Sequence, residues 1–325
     1  MTLISLIRIT AALGLGLVAA SAQAAEPKPL APVAARHWSN ADSALLLGAA
    51  RAGQRIVTVG EHGIVMLSDD GGTSFRQARN VPISSTLTAV SFADERRGWA
   101  VGHWGAVIAT QDGGETWALQ RVDVAVDQPL FSVLFTSPDE GWAVGLWSLF
   151  LHTSDGGRTW TQVPLPPPPG AAKADRNLTR IFGNPAQGLY VTAEAGTVLR
   201  SADGGRTWVY QDVGYRGTLW TGVTARDGTV VVGGLHGSLF QSRDQGTSWS
   251  RIEVETTESI TDLAEIDGEV IGVGLSGLMV RGKAGDRSFA VVARDQKQDL
   301  TAIAPTPAGG LLLTSVQGAV LAGRP

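Results

Sequence analysis

Five short segments of the chain carry an aspartate, one or two glycines and hydroxyl side chains at nearly fixed offsets, and we call each of them a box. The boxes are Ser68–Phe75, Thr110–Trp117, Thr153–Trp160, Ser201–Trp208 and Ser242–Trp249. A calcium loop needs several regularly spaced oxygen ligands, which the boxes lack. An Asp carboxylate accepts hydrogen bonds from backbone amides a few residues further on, and Gly adopts positive φ without strain. The boxes therefore predict turns tied by a side chain rather than metal sites.

The spacing of the boxes indicates a repeat. Their aspartates follow one another at intervals of 42, 43, 48 and 41 residues and are Asp70, Asp112, Asp155, Asp203 and Asp244. A four-stranded blade of a β-propeller takes about 40–50 residues. Each box is therefore predicted to join the last two strands of one blade. Four boxes end in a tryptophan whose ring is expected to lie buried between neighbouring blades, namely Trp117, Trp160, Trp208 and Trp249.

A second pattern, ahead of each box, gives the number of blades. A short turn joins two apolar segments, and this turn recurs seven times, at residues 60–63, 102–105, 145–148, 193–196, 234–237, 274–277 and 315–318. The sixth repeat has Lys283 where the box aspartate is expected, and the seventh ends before a box. The sequence therefore predicts an all-β fold, a seven-bladed β-propeller of four-stranded blades. We expect the N-terminal segment Ala35–Trp38 to supply the fourth strand of blade seven, which would close the ring without an open sheet edge.

Because the chain reverses at each strand, the seven turns share one face with the connections between blades, which we call the turn face, while the boxes lie on the opposite, box face. The candidate binding residues on the turn face are Glu61, His62, His103, Trp104, Leu146, Trp147, Glu194, Leu235, His236, Leu275 and Gln317, with Tyr215 and Arg216 from a connection. Large aromatic side chains at turn tips, such as Trp104 and Trp147, favour a binding patch. The alternative is that these rings fold back over the central channel as packing.

The sequence offers little support for metal binding, thiol chemistry or nucleic-acid binding. Histidine is a common metal ligand, but His236 belongs to blade five, far round the ring from His62 and His103. We therefore predict no metal and no cofactor. The chain has no cysteine, which excludes disulfides and thiol chemistry. With a net charge of −4 and no block of like charge, we expect no nucleic-acid partner.

The first 24 residues have the composition of a secretory signal peptide. Arg8 precedes an apolar run that ends in the small-residue cleavage site Ala22-Gln23-Ala24. The run is shorter than the roughly 20 residues that cross a bilayer, although a retained anchor is the alternative. We therefore predict a leader at residues 1–24, a single propeller domain at residues 25–325 without a membrane span, and a periplasmic or secreted location.

One insertion lengthens the interval between the third and fourth boxes. It covers residues 164–176 and contains Pro164 and the run Pro166–Pro169. A proline run favours a stiff, extended conformation. The insertion is interpreted either as an arm that contacts a partner beside Trp147 or as a tolerated surface loop.

The boxes resemble the bacterial neuraminidase repeat, or Asp box. The wider pattern of Gly98–Gly102, a small turn and the box Thr110–Trp117 is similar to a narrower family, the photosystem II stability and assembly factors of cyanobacteria and chloroplasts with their relatives in non-photosynthetic bacteria. The resemblance runs from about Ala44 to Ala322. It implies a non-catalytic factor that assists assembly of a membrane complex by binding one of its subunits, and hence here a protein partner, an envelope membrane protein. The photosynthetic members are associated with a basic patch, whereas none of the seven turns here contains Lys or Arg.

A glycoside hydrolase or a carbohydrate-binding propeller is the alternative, because sialidases also carry Asp boxes. A sialidase needs converging arginines, a Tyr nucleophile with a Glu partner, and an acid. Of the three tyrosines, Tyr190 is expected to be packed and Tyr210 to lie in an outer strand, which leaves Tyr215. The two acids in the turns, Glu61 and Glu194, lie three blades apart. The sequence therefore favours a protein that is not an enzyme.

Overall fold

The computed structural model describes residues 32–322, and the predicted leader at residues 1–24 lies outside them. The described chain is almost entirely β-structure with six short 3₁₀ turns, Ala41–Ser43, Glu61–Gly63, His103–Gly105, Leu146–Ser148, Leu235–Gly237 and Leu275–Gly277. None of the helical segments in this part of the chain has the length and hydropathy to cross a bilayer.

The strands form seven separate antiparallel sheets in chain order, which confirms the predicted seven-bladed propeller. The strands of blades one to three are β1 (Leu46–Ala52), β2 (Arg55–Gly60), β3 (Val65–Ser68), β4 (Arg76–Gln77), β5 (Leu87–Phe92), β6 (Gly98–Gly102), β7 (Val107–Thr110), β8 (Ala118–Arg121), β9 (Leu130–Phe135), β10 (Gly141–Gly145), β11 (Phe150–Thr153) and β12 (Thr161–Gln162).

Blades four to seven repeat the same order, from the inner strand beside the channel to the outer edge. Their strands are β13 (Leu178–Asn184), β14 (Gly188–Ala193), β15 (Thr197–Ser201), β16 (Val209–Asp212), β17 (Leu219–Thr224), β18 (Val230–Gly234), β19 (Leu239–Ser242), β20 (Ser250–Arg251), β21 (Ile260–Ile266), β22 (Glu269–Gly274), β23 (Met279–Gly282), β24 (Ala290–Val291), β25 (Leu300–Pro305), β26 (Leu311–Ser315) and β27 (Gly318–Ala322).

The second strand of each blade is buried on both faces because it packs between two neighbouring blades. All five residues of β6, Gly98–Gly102, are buried, and so are all five of β10, Gly141–Gly145. Such strands are continuous apolar runs rather than alternating ones. The closing glycine of β6 is required by a close approach, since a Cβ at Gly102 would lie 2.0 Å from the carbonyl oxygen of Thr86.

Threonines at the second position of the inner strand link successive blades. The Oγ1 atoms of Thr88, Thr179 and Thr261 donate hydrogen bonds to the carbonyl oxygens of Leu130, Leu219 and Leu300 in the following blades, at 2.6, 2.6 and 2.8 Å. Thr301 donates in the same way to the carbonyl oxygen of Leu46 at 2.5 Å. The last bond joins blade seven to blade one and closes the ring.

The structure corrects the expected position of the N-terminal segment. Within residues 32–322, blade seven has three strands, and Ala35–Trp38 lies beside blade one instead. The reason is the side-chain amide of Gln77 in β4, which accepts the Trp38 N–H at 3.1 Å and donates to the Arg36 carbonyl at 2.7 Å. The Ala35 N–H also donates to the Val81 carbonyl at 3.0 Å. After Trp38 the chain turns through Ala41–Ser43 and enters β1.

Candidate binding face

Each box is held by its aspartate. In blade three the Asp155 carboxylate accepts the N–H and the hydroxyl of Thr159, at 2.9 and 2.7 Å, and the hydroxyl of Thr153 at 2.9 Å. The Thr153 hydroxyl oxygen in turn accepts the Gly157 N–H at 2.9 Å. The same set of bonds recurs around Asp70, Asp112, Asp203 and Asp244. Both carboxylate oxygens and both hydroxyls of the turn thus have partners within the box.

These bonds favour the ionised carboxylates. Hydrogen bonds from Thr159 lower the pKa of Asp155 to about 2, and those from Ser74 and Ser248 lower the pKa of Asp70 and of Asp244 to about 2. At Asp112 partial burial opposes the shift, but the hydrogen bonds from Thr116 and Thr110 prevail and lower its pKa.

The aromatic residue that ends each box packs between blades. Trp117 is buried against Val57 and Leu67 of blade one as well as against its own blade, and its ring N–H donates to the Gly114 carbonyl at 2.9 Å. Trp160, Trp208 and Trp249 are buried or half-buried in the corresponding positions. The box side chains therefore stabilise the fold. Side chains that are available to bind a partner are expected on the opposite, turn face.

On the turn face, six turns share an unusual backbone conformation. The third residue of each has a positive φ although it is not glycine, with values of 51–60° at His62, Trp104, Trp147, Ala195, His236 and Ser276. A left-handed conformation is costly for residues with a Cβ, and it turns these side chains away from the strands. The turn is therefore a device that holds one side chain per blade at the tip.

Polar side chains from the connections between blades fix these tips. The Asp127 carboxylate accepts the Trp104 N–H at 2.7 Å and lies 3.2 Å from Nδ1 of His103. Asn177 accepts the Trp147 N–H through its side-chain oxygen at 3.1 Å. In later blades, Ser259 and Asp299 bind the equivalent amides of His236 and Ser276 at 3.3 and 2.8 Å.

The two acidic side chains of the turn face also accept hydrogen bonds from backbone N–H groups. Oε1 of Glu61 accepts the Leu45 N–H at 2.9 Å. Glu194 accepts the backbone and side-chain N–H groups of Asn177 at 2.9 and 2.7 Å. Both carboxylates therefore position backbone, in separate blades, and the structure does not bring them together.

Tyr215 also forms contacts within the fold. Its hydroxyl donates to the Leu235 carbonyl at 3.0 Å, and its ring packs against Phe240 with centroids 5.6 Å apart. The neighbouring Arg216 is exposed and pairs with Asp212 at 3.2 Å. Burial raises the pKa of Tyr190 and of Tyr210. Across residues 32–322 no group of three or more His, Asp or Glu side chains is arranged to hold a metal ion.

The exposed apolar surface of the turn face is concentrated on blades one to three. Trp147 is 56% exposed, the largest exposure of any described tryptophan, and Trp104 is half-buried. The connection 123–128 bridges their two turns, because the Asp123 N–H donates to the Trp104 carbonyl and the Gln128 amide donates to the Leu146 carbonyl, both at 2.8 Å. Val126 of this connection is 48% exposed.

Trp38 extends this surface onto blade one. Its ring lies 5.5 Å from that of His62, and it is 45% exposed. We call Trp38, His62, Trp104, Val126 and Trp147 the aromatic arc. Trp38 and Val126 were not among the predicted site residues, because Trp38 was expected at blade seven and a lone valine in a connection gives no signal. Leu146 and Leu235 are half-buried, and His236 and Gln317 are exposed on other blades.

The insertion at residues 164–176 is anchored at both ends. Leu165 packs on the core of blades three and four, and the Arg176 carbonyl accepts the N–H and hydroxyl of Ser148 at 2.8 and 3.1 Å. The insertion thus joins the turn that carries Trp147.

Two arginines on the box face are bound by shared carboxylates. Arg55 bridges Asp69 and Glu115 at 2.6 and 3.0 Å, and Arg76 pairs with the same two carboxylates. Arg76 lowers the pKa of Glu115. In the central channel, a cavity of about 320 Å³ lined by the inner strands, Arg180 lies 3.5 Å from the buried Asp262.

These elements define a class, a seven-bladed β-propeller built of box repeats. The family described as "Photosynthesis system II assembly factor YCF48" matches residues 75–211. Two solved structures share the fold. "YCF48 bound to D1 peptide" has a TM-score of 0.70 at 16% identity, over 91% of this chain and 100% of that one. "YCF48 from Cyanidioschyzon merolae" has a TM-score of 0.67 at 14% identity, over 87% and 96%. The chain therefore has a YCF48-like seven-bladed fold, as the sequence resemblance indicated.

A curated relative matches over a shorter stretch. The uncharacterized protein YkuO of Bacillus subtilis strain 168 is 38% identical over 61 residues, which are 19% of this chain and 20% of that protein. This chain thus spans about a fifth of that relative's length.

Proposed function

We propose that the protein is a non-catalytic, exported propeller whose turn face binds a protein partner. The single observation that carries this proposal is the aromatic arc. Trp147 stands 56% exposed on a left-handed turn whose amide is fixed by Asn177. Exposed aromatic rings on a rigid frame give large contact area at low entropic cost. The fold holds such rings on consecutive blades.

The partner we propose is a segment of an envelope membrane protein whose assembly or function the propeller assists. Support comes from the likeness to YCF48, one structure of which has a D1 peptide bound. The leader-like residues 1–24 support export to the periplasm. The paired arginines Arg55 and Arg76 lie on the box face, and the aromatic arc contains no arginine, so the partner is expected to meet an apolar rather than a basic surface at the arc.

The proposal is tested by photo-crosslinking in cells that express the full chain. A photoreactive residue at Val126 is expected to give a specific crosslinked envelope protein, and a second substitution, Trp147→Gly, is expected to reduce its yield at least tenfold. Glycine accepts the positive φ of this position, so the turn persists. Val209, an exposed valine on the outer strand of blade four, is the control position and is expected to give no such product.

Two results would contradict the proposal. One is a crosslinking pattern at Val126 that matches that at Val209 and is unaffected by Trp147→Gly. The other is robust hydrolysis of sialosides or aryl glycosides that Tyr215→Phe abolishes, which would make the protein a glycoside hydrolase.

A further inference from the structure

Acidic side chains accompany the exposed aromatic rings of blades two and three. The connection 123–128 bridges the two tryptophan turns, at residues 102–105 and 145–148, and it contains Asp123 and Asp127. The connection and both turns contain no Lys or Arg. This part of the aromatic arc is therefore bordered by negative charge.

The carboxylates beside the arc combine a fixed position with exposed surface. One oxygen of Asp127 accepts the Trp104 N–H at 2.7 Å, and the other lies 3.2 Å from Nδ1 of His103. The Asp127 side chain is 37% exposed. Blade one repeats the arrangement, since Oε1 of Glu61 accepts a backbone N–H while its Oε2 lies 3.8 Å from Nε2 of His62. A carboxylate offers about four lone-pair sites, so both side chains keep the capacity to accept a hydrogen bond from a ligand.

Two arginines next to these segments are bound within the fold. Arg121, which precedes the connection, is half-buried and donates to the Gly105 carbonyl. Arg176, which ends the insertion, is half-buried and donates to the Thr197 hydroxyl in blade four. Their N–H groups are therefore directed to the protein rather than to a ligand.

Two exposed cations lie near other parts of the arc. Arg36 belongs to the segment that follows the outer strand of blade one, two residues ahead of Trp38. Lys173 of the insertion pairs with Asp175 at 3.3 Å, so this pair adds no net charge. The connection 123–128 is therefore the place where exposed aromatic surface and negative charge coincide.

We propose that the partner segment that binds the aromatic arc carries lysine or arginine between apolar residues, and that its cation pairs with Asp127. This inference rests on the proposed function and names the chemistry of the partner. The apolar residues contact the indole rings of Trp104 and Trp147. The basic side chain gains a carboxylate and the electron-rich face of a ring, whereas an acidic segment would be repelled.

The same charges disfavour two other occupants. Exposed tryptophans are also common at the surface of a lipid bilayer, but anionic headgroups repel carboxylates. In a two-fold dimer through this surface each patch would meet its own copy, which would bring Asp123 and Asp127 of both copies together. A basic protein segment is therefore the occupant that the charges favour.

Three peptides with an uncharged fluorescent label test the charge preference. They are Gly-Leu-Lys-Phe-Lys-Leu-Gly and the two versions with Gln or Glu in place of both lysines. Fluorescence anisotropy with the purified full chain is measured at pH 8, where free histidine is uncharged. The lysine peptide is expected to bind with a Kd below about 1 mM, and the glutamate peptide at least tenfold more weakly. Raising the salt concentration from about 20 to about 300 mM should weaken binding of the lysine peptide at least threefold, because exposed charges are screened.

The variant Asp127→Asn is expected to weaken binding of the lysine peptide at least fivefold and to leave binding of the glutamine peptide unchanged. The asparagine oxygen can still accept the Trp104 N–H, so the turn is retained while the charge is lost. Glu255→Gln is the matched control, because Glu255 is an exposed acid in the connection between blades five and six. Its affinity for the lysine peptide is expected to equal that of the wild type, and circular dichroism checks that both variants fold.

Three results with the peptides would overturn the proposal. They are absence of lysine-peptide binding at about 1 mM, equal or tighter binding of the glutamate peptide, and equal binding of the lysine peptide by folded Asp127→Asn and wild type. The peptide comparison on the wild type needs no variant.

Two further results would replace the basic segment by another occupant. Binding to vesicles that contain phosphatidylglycerol at about 150 mM salt, if Trp147→Gly abolishes it, would make the arc a lipid-binding surface. A dimer that Trp147→Gly dissociates would make the occupant a second copy. If crosslinking at Val126 depends on Trp147 while the peptides bind without regard to charge, the proposed function stands and the charge inference fails. If the lysine peptide binds as expected but no specific crosslink forms at Val126, the charge inference stands and the proposed envelope partner fails.

Discussion

Asp155 shows what one residue of the repeat contributes. It ties Thr153 and Thr159, at the two ends of the turn, through both carboxylate oxygens, and it remains near solvent. Its folded-state pKa of about 2 lies below the ordinary value of 3.8. A depressed pKa means that the unfolded chain binds the proton more tightly, so the box stabilises the fold above pH 3.8 and loses that contribution as the pH falls toward 2.

We predict that Asp155→Asn lowers the melting temperature at pH 7 by about 2 °C, since an amide cannot accept bonds through both of its terminal atoms. The difference from the wild type should shrink between pH 4 and pH 2, where the wild-type carboxylate becomes protonated. Thermal unfolding followed by circular dichroism across this range is the measurement. Asp139→Asn, at an exposed carboxylate in a loop of the same blade, is the control, and an unchanged difference at pH 2 would contradict the assignment.

The turn is the element that holds candidate binding side chains apart from the side chains that stabilise the fold. Its third residue adopts a positive φ in blades one to six, and a polar group from the following connection fixes its amide in several of them. Sequence alone placed these turns correctly. The left-handed backbone was not predicted, because tryptophan and histidine have no special preference for it.

We predict that Trp147→Gly unfolds in urea within about 1 kcal/mol of the wild type, because relief of the left-handed conformation offsets the added freedom of the unfolded chain. Trp147→Val should be less stable than Trp147→Gly by about 1–2 kcal/mol, since a β-branched side chain is disfavoured at positive φ.

The stability of Trp147→Gly also shows whether the Trp147 ring packs over the central channel or is available for binding. A core tryptophan costs about 3–5 kcal/mol on truncation. A loss of that size in Trp147→Gly would show that the ring packs over the channel and does not serve binding.

At the scale of the whole molecule, the repeat made the fold predictable. The apolar segments that begin at Leu87, Leu130 and Leu178 and the turns that follow them gave seven blades, although only five boxes are intact. The turn face followed from strand reversal alone. Contacts between segments that do not occupy equivalent positions in the repeat could not be predicted from the sequence.

Trp38 is the clearest example of such a contact. The segment Ala35–Trp38 was expected at blade seven because the repeat pattern leaves that blade without a fourth strand, but the amide of Gln77 offers a donor and an acceptor to the passing chain on blade one. The hydrogen bonds of Glu61 and Tyr215 could not be predicted either, because their partners are the backbone N–H of Leu45 and the backbone carbonyl of Leu235.

The closure of the ring has a mechanical consequence. In the described chain each blade is one uninterrupted stretch of sequence, and blades seven and one meet through side-chain packing and the Thr301–Leu46 bond rather than through a shared sheet. The junction between these blades is the one place where covalent continuity does not reinforce the contact. A pulling force, or thermal opening, should part the ring there first and turn it into a linear array of blades.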